Sequence, residues 1–209
     1  MRKTPCSENN RVTPVTRNAA YAIADASGTA ELPPLPTVTP ITVLDDGLKL
    51  EIPFDALLLY HGRDSIGGLA LGFRLLEFAF KHLTPNAPPE RREITFETGF
   101  PGPGLRDAVE MVTRAVTRGA FTVDEHPPAT APEGVYGRMI FTVGVGTKRI
   151  TLQLVEGALP TEFITVGRAV KAGGADDALN ARWRALKEAL ALAVLSAPDD
   201  ALFELITKP

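Results

Sequence analysis

Two glycine-bearing turns carry most of the side chains in this sequence that could do chemistry. They span residues 61–68 and 99–106, and each leads into an apolar stretch with helical spacing. The first residues of a helix offer unpaired N–H groups and a partial positive charge, which attract anions. Glycines also let a ligand approach the backbone closely. We therefore expect an anion-binding pocket if the two turns meet in the fold.

The candidate ligand-binding residues are the glycines and the polar side chains of these turns, together with an acidic residue on the strand before the second turn. They are His61, Gly62, Arg63, Asp64, Ser65, Gly67, Gly68, Glu97, Gly102, Gly104, Arg106 and Asp107. The spacing matches neither a dinucleotide-binding motif in a strand–helix context nor a P-loop, which would need a lysine. The pattern assigns no catalytic residue and no cofactor.

These residues also have structural interpretations. Asp64 or Ser65 would cap the helix that follows, and the glycines at 67, 68 and 72 would let a neighbouring element pack closely. Arg106 would belong to a charge ladder on its own helix, and His61 would have a structural hydrogen-bonding role. The sequence leaves both interpretations open.

Metal and hydrolase chemistry have weaker support. His61 and His82 lie near opposite ends of one predicted helix, about 24 Å apart at ~1.5 Å per residue, and His126 lies in a predicted loop. Ser65 lacks the strand–turn–helix setting of a nucleophile elbow. No metal site is predicted, although a non-standard site of His61, Asp64 and Glu97 remains an alternative.

Composition excludes several classes of protein. The formal net charge of −3 gives no reason to expect nucleic acid or an anionic membrane surface as a partner. The most apolar run, residues 66–80, is interrupted by Arg74 and Glu77 and is too short to span a bilayer. The one cysteine, Cys6, cannot form an internal disulfide. We therefore expect a cytoplasmic protein.

The sequence patterns in the first half of the chain predict a hairpin, three helices and two further strands. Residues 41–44 and 48–52 flank an Asp-Gly turn, which is typical of a β-hairpin. Helices are predicted at 53–60, at 66–83 and at 105–118, the last ending at Gly119. A strand is predicted at 92–98 and another at 120–123.

The second half predicts a proline-rich loop at 124–134 and strands at 135–145, 148–155 and 162–169. A long helix begins after Asp176 and runs to about residue 195, and a short helix follows through Ile206. This order predicts an α+β domain with a mixed sheet over residues 41–209. Helices would cover one face of the sheet, and a partner subunit the other. Residues 1–40 predict an extended or flexible arm.

The stretch from His61 to Arg74 (HGRDSIGGLALGFR) resembles a known signature, approximately His-Gly-His-x-Cys-Pro-Gly-Leu-Ala-Leu-Gly-Tyr-Arg. This signature belongs to the FmdE family, whose name comes from formylmethanofuran dehydrogenase. Residues 53–57, the strand with Glu97, residues 107–110 and residues 195–203 also resemble that family. The resemblance covers about residues 50–206.

The resemblance implies an α+β domain like the catalytic half of glyceraldehyde-phosphate dehydrogenases, paired as a homodimer. It also implies a metal site built from histidines and cysteines of the two turns. Members of the family often end in a zinc ribbon. This chain departs from the signature at those points. Arg63 stands for the second histidine, Ser65 for the cysteine and Ile66 for the proline, and the second turn has no cysteine.

These departures favour an anionic ligand where relatives hold metal, since arginine binds carboxylate or phosphate groups through two hydrogen bonds. Arg63 and Arg106 are the expected anion contacts. The family's one-carbon context suggests a pterin or folate-like molecule, by analogy only. The alternatives are a non-catalytic accessory or assembly subunit and a metalloenzyme with a non-standard site.

Overall fold

The structure is a computed structural model that describes residues 34–207. Its first element is an antiparallel hairpin of β1 (Ile41–Asp45) and β2 (Leu48–Ile52). Asp46 and Gly47 form the turn with φ values of 51° and 79°, as two-residue hairpin turns require. This hairpin confirms the sequence prediction.

The arm predicted for residues 1–40 lies mostly outside the described residues. Within the described part, Leu35 and Val38 are partly buried against the hydrophobic core. The boundary at residue 40 stays a prediction.

The central element is the apolar helix α2 (Ile66–Leu83), which follows the short helix α1 (Phe54–His61). The bounds of α2 coincide with the predicted helix. Leu69, Phe73 and Leu76 of α2 are fully buried, because neighbouring elements cover nearly the whole circumference of this helix. A helix that is apolar on most sides is buried in this way.

Five strands form one mixed sheet in the order β4-β3-β5-β6-β7. They are β3 (Ile94–Thr98), β4 (Phe121–Val123), β5 (Ile140–Val145), β6 (Lys148–Leu154) and β7 (Phe203–Thr207). β3 and β4 run parallel, and the other neighbours are antiparallel. Helix α2 lies against β5 and β6. The α+β class with a mixed sheet is therefore confirmed.

The described part of the chain holds four further α-helices: α3 (Pro103–Thr113), α4 (Thr161–Lys171), α5 (Asp177–Ser196) and α6 (Asp199–Leu202). The predicted cap of α5 is confirmed, because Asp176 accepts a hydrogen bond from the Leu179 backbone N–H at 2.7 Å. Helix α2 lies between α3 and α5. This arrangement places the start of α2 beside the middle of α5, where Gly67 faces Leu190.

Arg74, Glu77 and Lys81 form a polar stripe along α2, and this stripe holds the C-terminal segment in place. The buried Arg74 donates to the Leu195 carbonyl at 3.2 Å and to the Asp199 carboxylate at 2.6 Å. Lys81 binds the same carboxylate at 3.0 Å. Burial raises the pKa of Asp199, but these two cations outweigh it and hold that pKa below its usual value. The stripe is structural.

The strand predicted at 162–169 was wrong, because these residues lie in helix α4. The β-branched residues Ile164, Thr165 and Val166 favour a strand locally. Phe163, Gly167 and Val170, however, recur at helical spacing and lie toward Trp183 or the adjacent cavity. Tertiary packing therefore overrides the local preference.

Helix α3 is shorter than predicted and does not end at Gly119. It ends at Thr113, and Arg114 follows in the left-handed region with φ of 57°. The Thr113 hydroxyl donates to the Val109 carbonyl at 2.6 Å and accepts from the Ala115 N–H at 3.0 Å. A side chain that bonds the backbone in this way competes with the helix.

The predicted last helix through Ile206 was also wrong beyond Leu202. Helix α6 has a single turn, and β7 then pairs antiparallel with β6. Phe203 is buried and Leu205 packs partly against the core, whereas Glu204 between them is exposed. This period-two alternation is typical of a strand. The strand predicted at 135–145 begins only at Ile140, which leaves residues 135–139 in the loop before it.

Candidate functional site

The two glycine-bearing turns meet where α2 and α3 begin. A side chain at Gly104 would overlap the Ser65 carbonyl oxygen and lie 2.6 Å from the Leu69 nitrogen. Across the same seam, a Cβ on Gly68 would lie 3.4 Å from the Leu105 nitrogen. Glycine at 104 is therefore required for the close approach of the two backbones.

A cavity of about 350 Å³ opens beside this seam. Its lining includes five of the residues predicted from the sequence: Asp64, Ser65, Gly68, Gly102 and Gly104. Its volume lies at the lower end of the range for small-molecule sites. The sequence interpretation thus located one wall of a concave site, although it did not describe the site's other walls.

The opposite wall comes from α5, which sequence reasoning did not connect with the site. Asn180, Trp183, Arg184 and Lys187 recur at helical spacing and all line the cavity. Such a stripe mixes one aromatic and two cationic side chains on one helix face. That spacing was a readable signal, but only the fold shows which face meets the glycine turns.

Aromatic rings complete the lining. Phe100 and Tyr136 contact each other at a ring-centroid distance of 6.1 Å, and Phe163 and Trp183 at 4.6 Å. Phe100 belongs to the second predicted turn. The other three come from the loop before β5, from α4 and from α5. They give the cavity flat apolar surfaces beside its polar backbone wall.

Asp64 and Lys187 form an ion pair at the edge of the cavity. The Lys187 Nζ lies 2.7 Å from an Asp64 carboxylate oxygen, and the lysine side chain is only 10% exposed. The hydrogen bond from Lys187 lowers the pKa of Asp64, with burial opposing it and the charges of Lys187 and His61 adding to it. The Lys187 Nζ also lies 5.6 Å from the centroid of the Trp183 ring. This pair fixes α5 against the start of α2.

The two arginines predicted to hold an anion lie outside the cavity lining. Arg63 donates two hydrogen bonds to Glu188, at 2.9 and 2.7 Å. The Arg106 side chain is 51% exposed, and its nearest carboxylate oxygen belongs to Asp107 at 3.7 Å. Arg63 was expected to bind the carboxylate of a ligand through two hydrogen bonds. In the structure it binds the carboxylate of Glu188 on α5 in this way.

His61 and Asp107 form a second polar cluster, on α1 and α3. The His61 Nδ1 lies 2.8 Å from an Asp107 carboxylate oxygen, and the histidine side chain is 9% exposed. The carboxylate favours the tautomer with a proton on Nδ1, which leaves the lone pair on Nε2. The buried Nε2 has no hydrogen-bond partner among residues 34–207. This arrangement could accept a proton, but His61 does not line the cavity.

Three other predicted residues lie away from the cavity. Glu97 is exposed, on the opposite side of β3 from the buried Phe96. Gly62 ends α1 with φ of 77°, a conformation that favours glycine. Gly67 faces α5, where a Cβ would lie 2.9 Å from Leu190. The structure therefore divides the twelve predicted residues among several places.

The residues present do not fit the metal site implied by the family resemblance. The described part of the chain holds no group of three or more His, Cys, Asp or Glu side chains able to bind an ion. In the alternative trio, Asp64 is bonded to Lys187 and Glu97 lies exposed on the sheet. His61 is bonded to Asp107, which supplies only one carboxylate.

Among residues 34–207, no helix combines the length and the apolar character that crossing a membrane would require.

The sequence was compared with known proteins and with models of protein families. No curated protein matches the chain. The sequence model of one family, described as FmdE, molybdenum formylmethanofuran dehydrogenase operon, matches residues 61–204. This span includes both turns and every residue that lines the cavity, and it covers more than half of the 209 residues. The chain therefore belongs to the FmdE family.

Proposed function

We propose that this protein binds a small anionic molecule in the cavity between its two glycine-bearing turns. The observation that carries the proposal is the shared lining, because Asp64, Ser65 and Gly68 of the first turn and Gly102 and Gly104 of the second face one space. Concave sites with apolar walls and a few polar groups are typical of ligand binding. No reaction is assigned.

A pterin or folate-like molecule is the ligand class we propose, with a role in one-carbon metabolism. Two observations support it. The description of the family names the formylmethanofuran dehydrogenase operon. The cavity has flat aromatic walls, with cationic side chains at its edge. The cations at the cavity are Arg184 and Lys187, so Arg63 and Arg106 would act only through their distant charge.

Thermal unfolding with and without candidate ligands tests the proposal. Pterins, folates and phosphorylated metabolites are the probes, and a bound ligand raises the midpoint because it binds only the folded state. Gly68→Ala is the test variant, since Gly68 lines the cavity and its added Cβ would lie 3.4 Å from the Leu105 nitrogen, at the seam between the two turns.

We expect Gly68→Ala to fold normally and to lose most of the ligand-induced shift. The double variant Arg63→Ala, Arg106→Ala is the control and should keep that shift, because neither residue lines the cavity. If no probe shifts the wild type, binding of these ligand classes is disproved. Loss of the shift in the Arg63→Ala, Arg106→Ala control would show that binding does not take place in this cavity.

An accessory or assembly subunit is the second candidate. Leu59 and Tyr60, at the end of α1, are 89% and 55% exposed. Adjacent exposed apolar side chains are typical of an interaction surface. We propose a second copy of this chain as the first partner to test. Light scattering of the wild type and of Leu59→Ser, Tyr60→Ser would show a dimer that the variant loses, and a monomeric wild type would exclude it.

A further inference from the structure

The side chains that line the cavity indicate which shape of ligand it would bind. The aromatic residues form two contacting pairs, Phe100 with Tyr136 and Phe163 with Trp183. All four line the cavity. The two pairs arise from different segments, so ring surface is offered by more than one wall. Flat aromatic molecules gain from stacking on such surfaces, whereas aliphatic molecules of the same size do not.

The charge of the lining sets a limit on the ligand's charge. Among the lining residues that the structure describes, only Asp64, Arg184 and Lys187 carry formal charge. The Lys187 ammonium is bonded to the Asp64 carboxylate at 2.7 Å, so these two charges offset each other. One positive charge remains, on the Arg184 guanidinium. A ligand with two or more negative charges would meet the Asp64 carboxylate without a second cation.

Arg184 is the side chain placed to hold an acidic group. It is exposed on the same face of α5 as Trp183. Among residues 34–207 it forms no ion pair and no side-chain hydrogen bond, unlike its neighbours Arg182 and Lys187. A guanidinium that is not already engaged keeps its donors available for a carboxylate.

We infer that the cavity binds a flat aromatic acid with a single negative charge, whose ring lies against the aromatic walls and whose acid binds Arg184. This inference rests on the proposed function, since it narrows the ligand of the same cavity. It favours a pterin with one carboxylate over folates, whose glutamate tail carries two carboxylates. It also excludes polyphosphates as ligands of the cavity. Arg184 contacts the ligand's acid, whereas Arg63 and Arg106 lie outside the cavity lining.

Isothermal titration calorimetry on the full chain tests the inference with five probes. Pterin-6-carboxylate and 2-naphthoate are flat aromatic acids. Pterin lacks the acid, cyclohexanecarboxylate lacks the aromatic ring, and pyrophosphate has more charge and no ring. Trp183 is the only tryptophan in the sequence, so saturable quenching of its fluorescence by 2-naphthoate, corrected with free tryptophan for absorption by the probe, reports binding near the cavity.

The variants are Arg184→Gln and its matched control Arg106→Gln, which changes an exposed arginine outside the lining. We expect at least one flat acid to bind about tenfold or more tightly than pterin, which corresponds to one charged hydrogen-bonded contact. The same acid should also bind more tightly than cyclohexanecarboxylate, because only the flat acid stacks on the aromatic walls. Arg184→Gln should remove the advantage over pterin and keep the advantage over cyclohexanecarboxylate, whereas Arg106→Gln should keep both. Circular dichroism would confirm that both variants fold.

The outcomes distinguish this inference from the proposed function. If cyclohexanecarboxylate or pyrophosphate binds as tightly as the flat acids, the inference is wrong while anion binding stands. Unchanged affinity of the flat acids in Arg184→Gln would also overturn it. If no probe binds the wild type at millimolar concentration, both the inference and the proposed function fail.

Discussion

The two sides of the cavity are built in different ways. On one side, the starts of α2 and α3 approach backbone to backbone, and Gly104 is the residue that permits this contact. On the other side, α5 is joined by α4, which packs against it and is held mainly by side chains; Gly167 is the only buried residue of α4. Ion pairs of α4, such as Arg168–Glu133, are about half exposed. One wall therefore has a fixed shape, whereas the other can adapt.

This difference matters for binding. Backbone packing leaves few alternative arrangements, because protein interiors are close-packed. Exposed ion pairs and partly buried rings are individually weak, so segments held by them open at low cost. We expect the glycine wall to set the position of a ligand and the α4 wall to adjust to its size.

The largest expected effect comes from Gly104→Ala. The added methyl group would overlap the Ser65 carbonyl oxygen and crowd the Leu69 nitrogen, and neither backbone atom can move without shifting α2. We expect the free energy of unfolding to fall by about 3 kcal/mol or more. Urea unfolding followed by circular dichroism measures this change.

Gly68→Ala is the matched control for Gly104→Ala on the same seam. Its Cβ would have ordinary contacts, the nearest at 3.4 Å, and alanine is a better helix former than glycine by about 1 kcal/mol. We expect the stability to stay within about 1 kcal/mol of the wild type. Similar losses in the two variants would contradict the fixed backbone seam.

Gly167→Ala makes the same change on the α4 wall and should cost less. The methyl group would lie 2.7 Å from a Val135 side-chain carbon and 2.8 Å from the Trp183 ring. Both neighbours are side chains that can rotate or shift with α4, and the helix propensity of alanine offsets part of the strain. We expect a loss of about 1 kcal/mol or less.

Trp183 gives a second measurement for Gly167→Ala. The shifted α4 should change the tryptophan emission and increase its quenching by acrylamide, because Phe163 packs on that ring. Gly104→Ala, if it folds, should leave the quenching closer to wild type. A loss of stability in Gly167→Ala as large as that in Gly104→Ala would mean that the α4 wall is equally rigid.

The same contrast explains which parts could be predicted from the sequence. The glycine wall was predictable because its signals are local: a helix pattern from Ile66 to Leu83 and glycines at the two helix starts. The α4 wall was not predictable, since its β-branched residues favour a strand. The contact of Phe163 with Trp183 on α5, which favours the helix, forms only in the folded protein. The cavity is formed by both walls, so only part of its lining could be predicted from the sequence.

The polar residues show a similar limit. The sequence identified Arg63 as an arginine suited to carboxylate recognition, and it does bind a carboxylate in two-pronged geometry. That carboxylate belongs to Glu188, which is 125 residues away in the chain. Side-chain chemistry can be predicted from a residue's type, but its partner depends on which helices become neighbours.

The smallest expected effect is a pH-dependent loosening of α4 through Glu133. The hydrogen bond from Arg168 lowers the pKa of Glu133, and the charges of Arg138 and Arg168 add to it. A carboxyl group with a lowered folded-state pKa stabilises the fold above its unfolded pKa, about 4.3 for glutamate, and this contribution disappears as the pH falls through the folded value. Acrylamide quenching of Trp183 should therefore rise slightly below about pH 4.

Glu133→Gln is the control for this titration, because it removes the charge at every pH and nearly preserves the shape of the side chain. Its quenching at pH 7 should already be slightly higher than that of the wild type, and its change between pH 6 and pH 3 should be smaller. Other carboxyl groups with lowered pKa values, such as Asp64 and Asp199, titrate in both proteins and cancel in the difference. Identical profiles in the two proteins would show that the link between Arg168 and Glu133 does not hold α4 over the cavity. The α4 wall would then depend on its other contacts, such as Phe163 with Trp183 and Glu162 with Arg182.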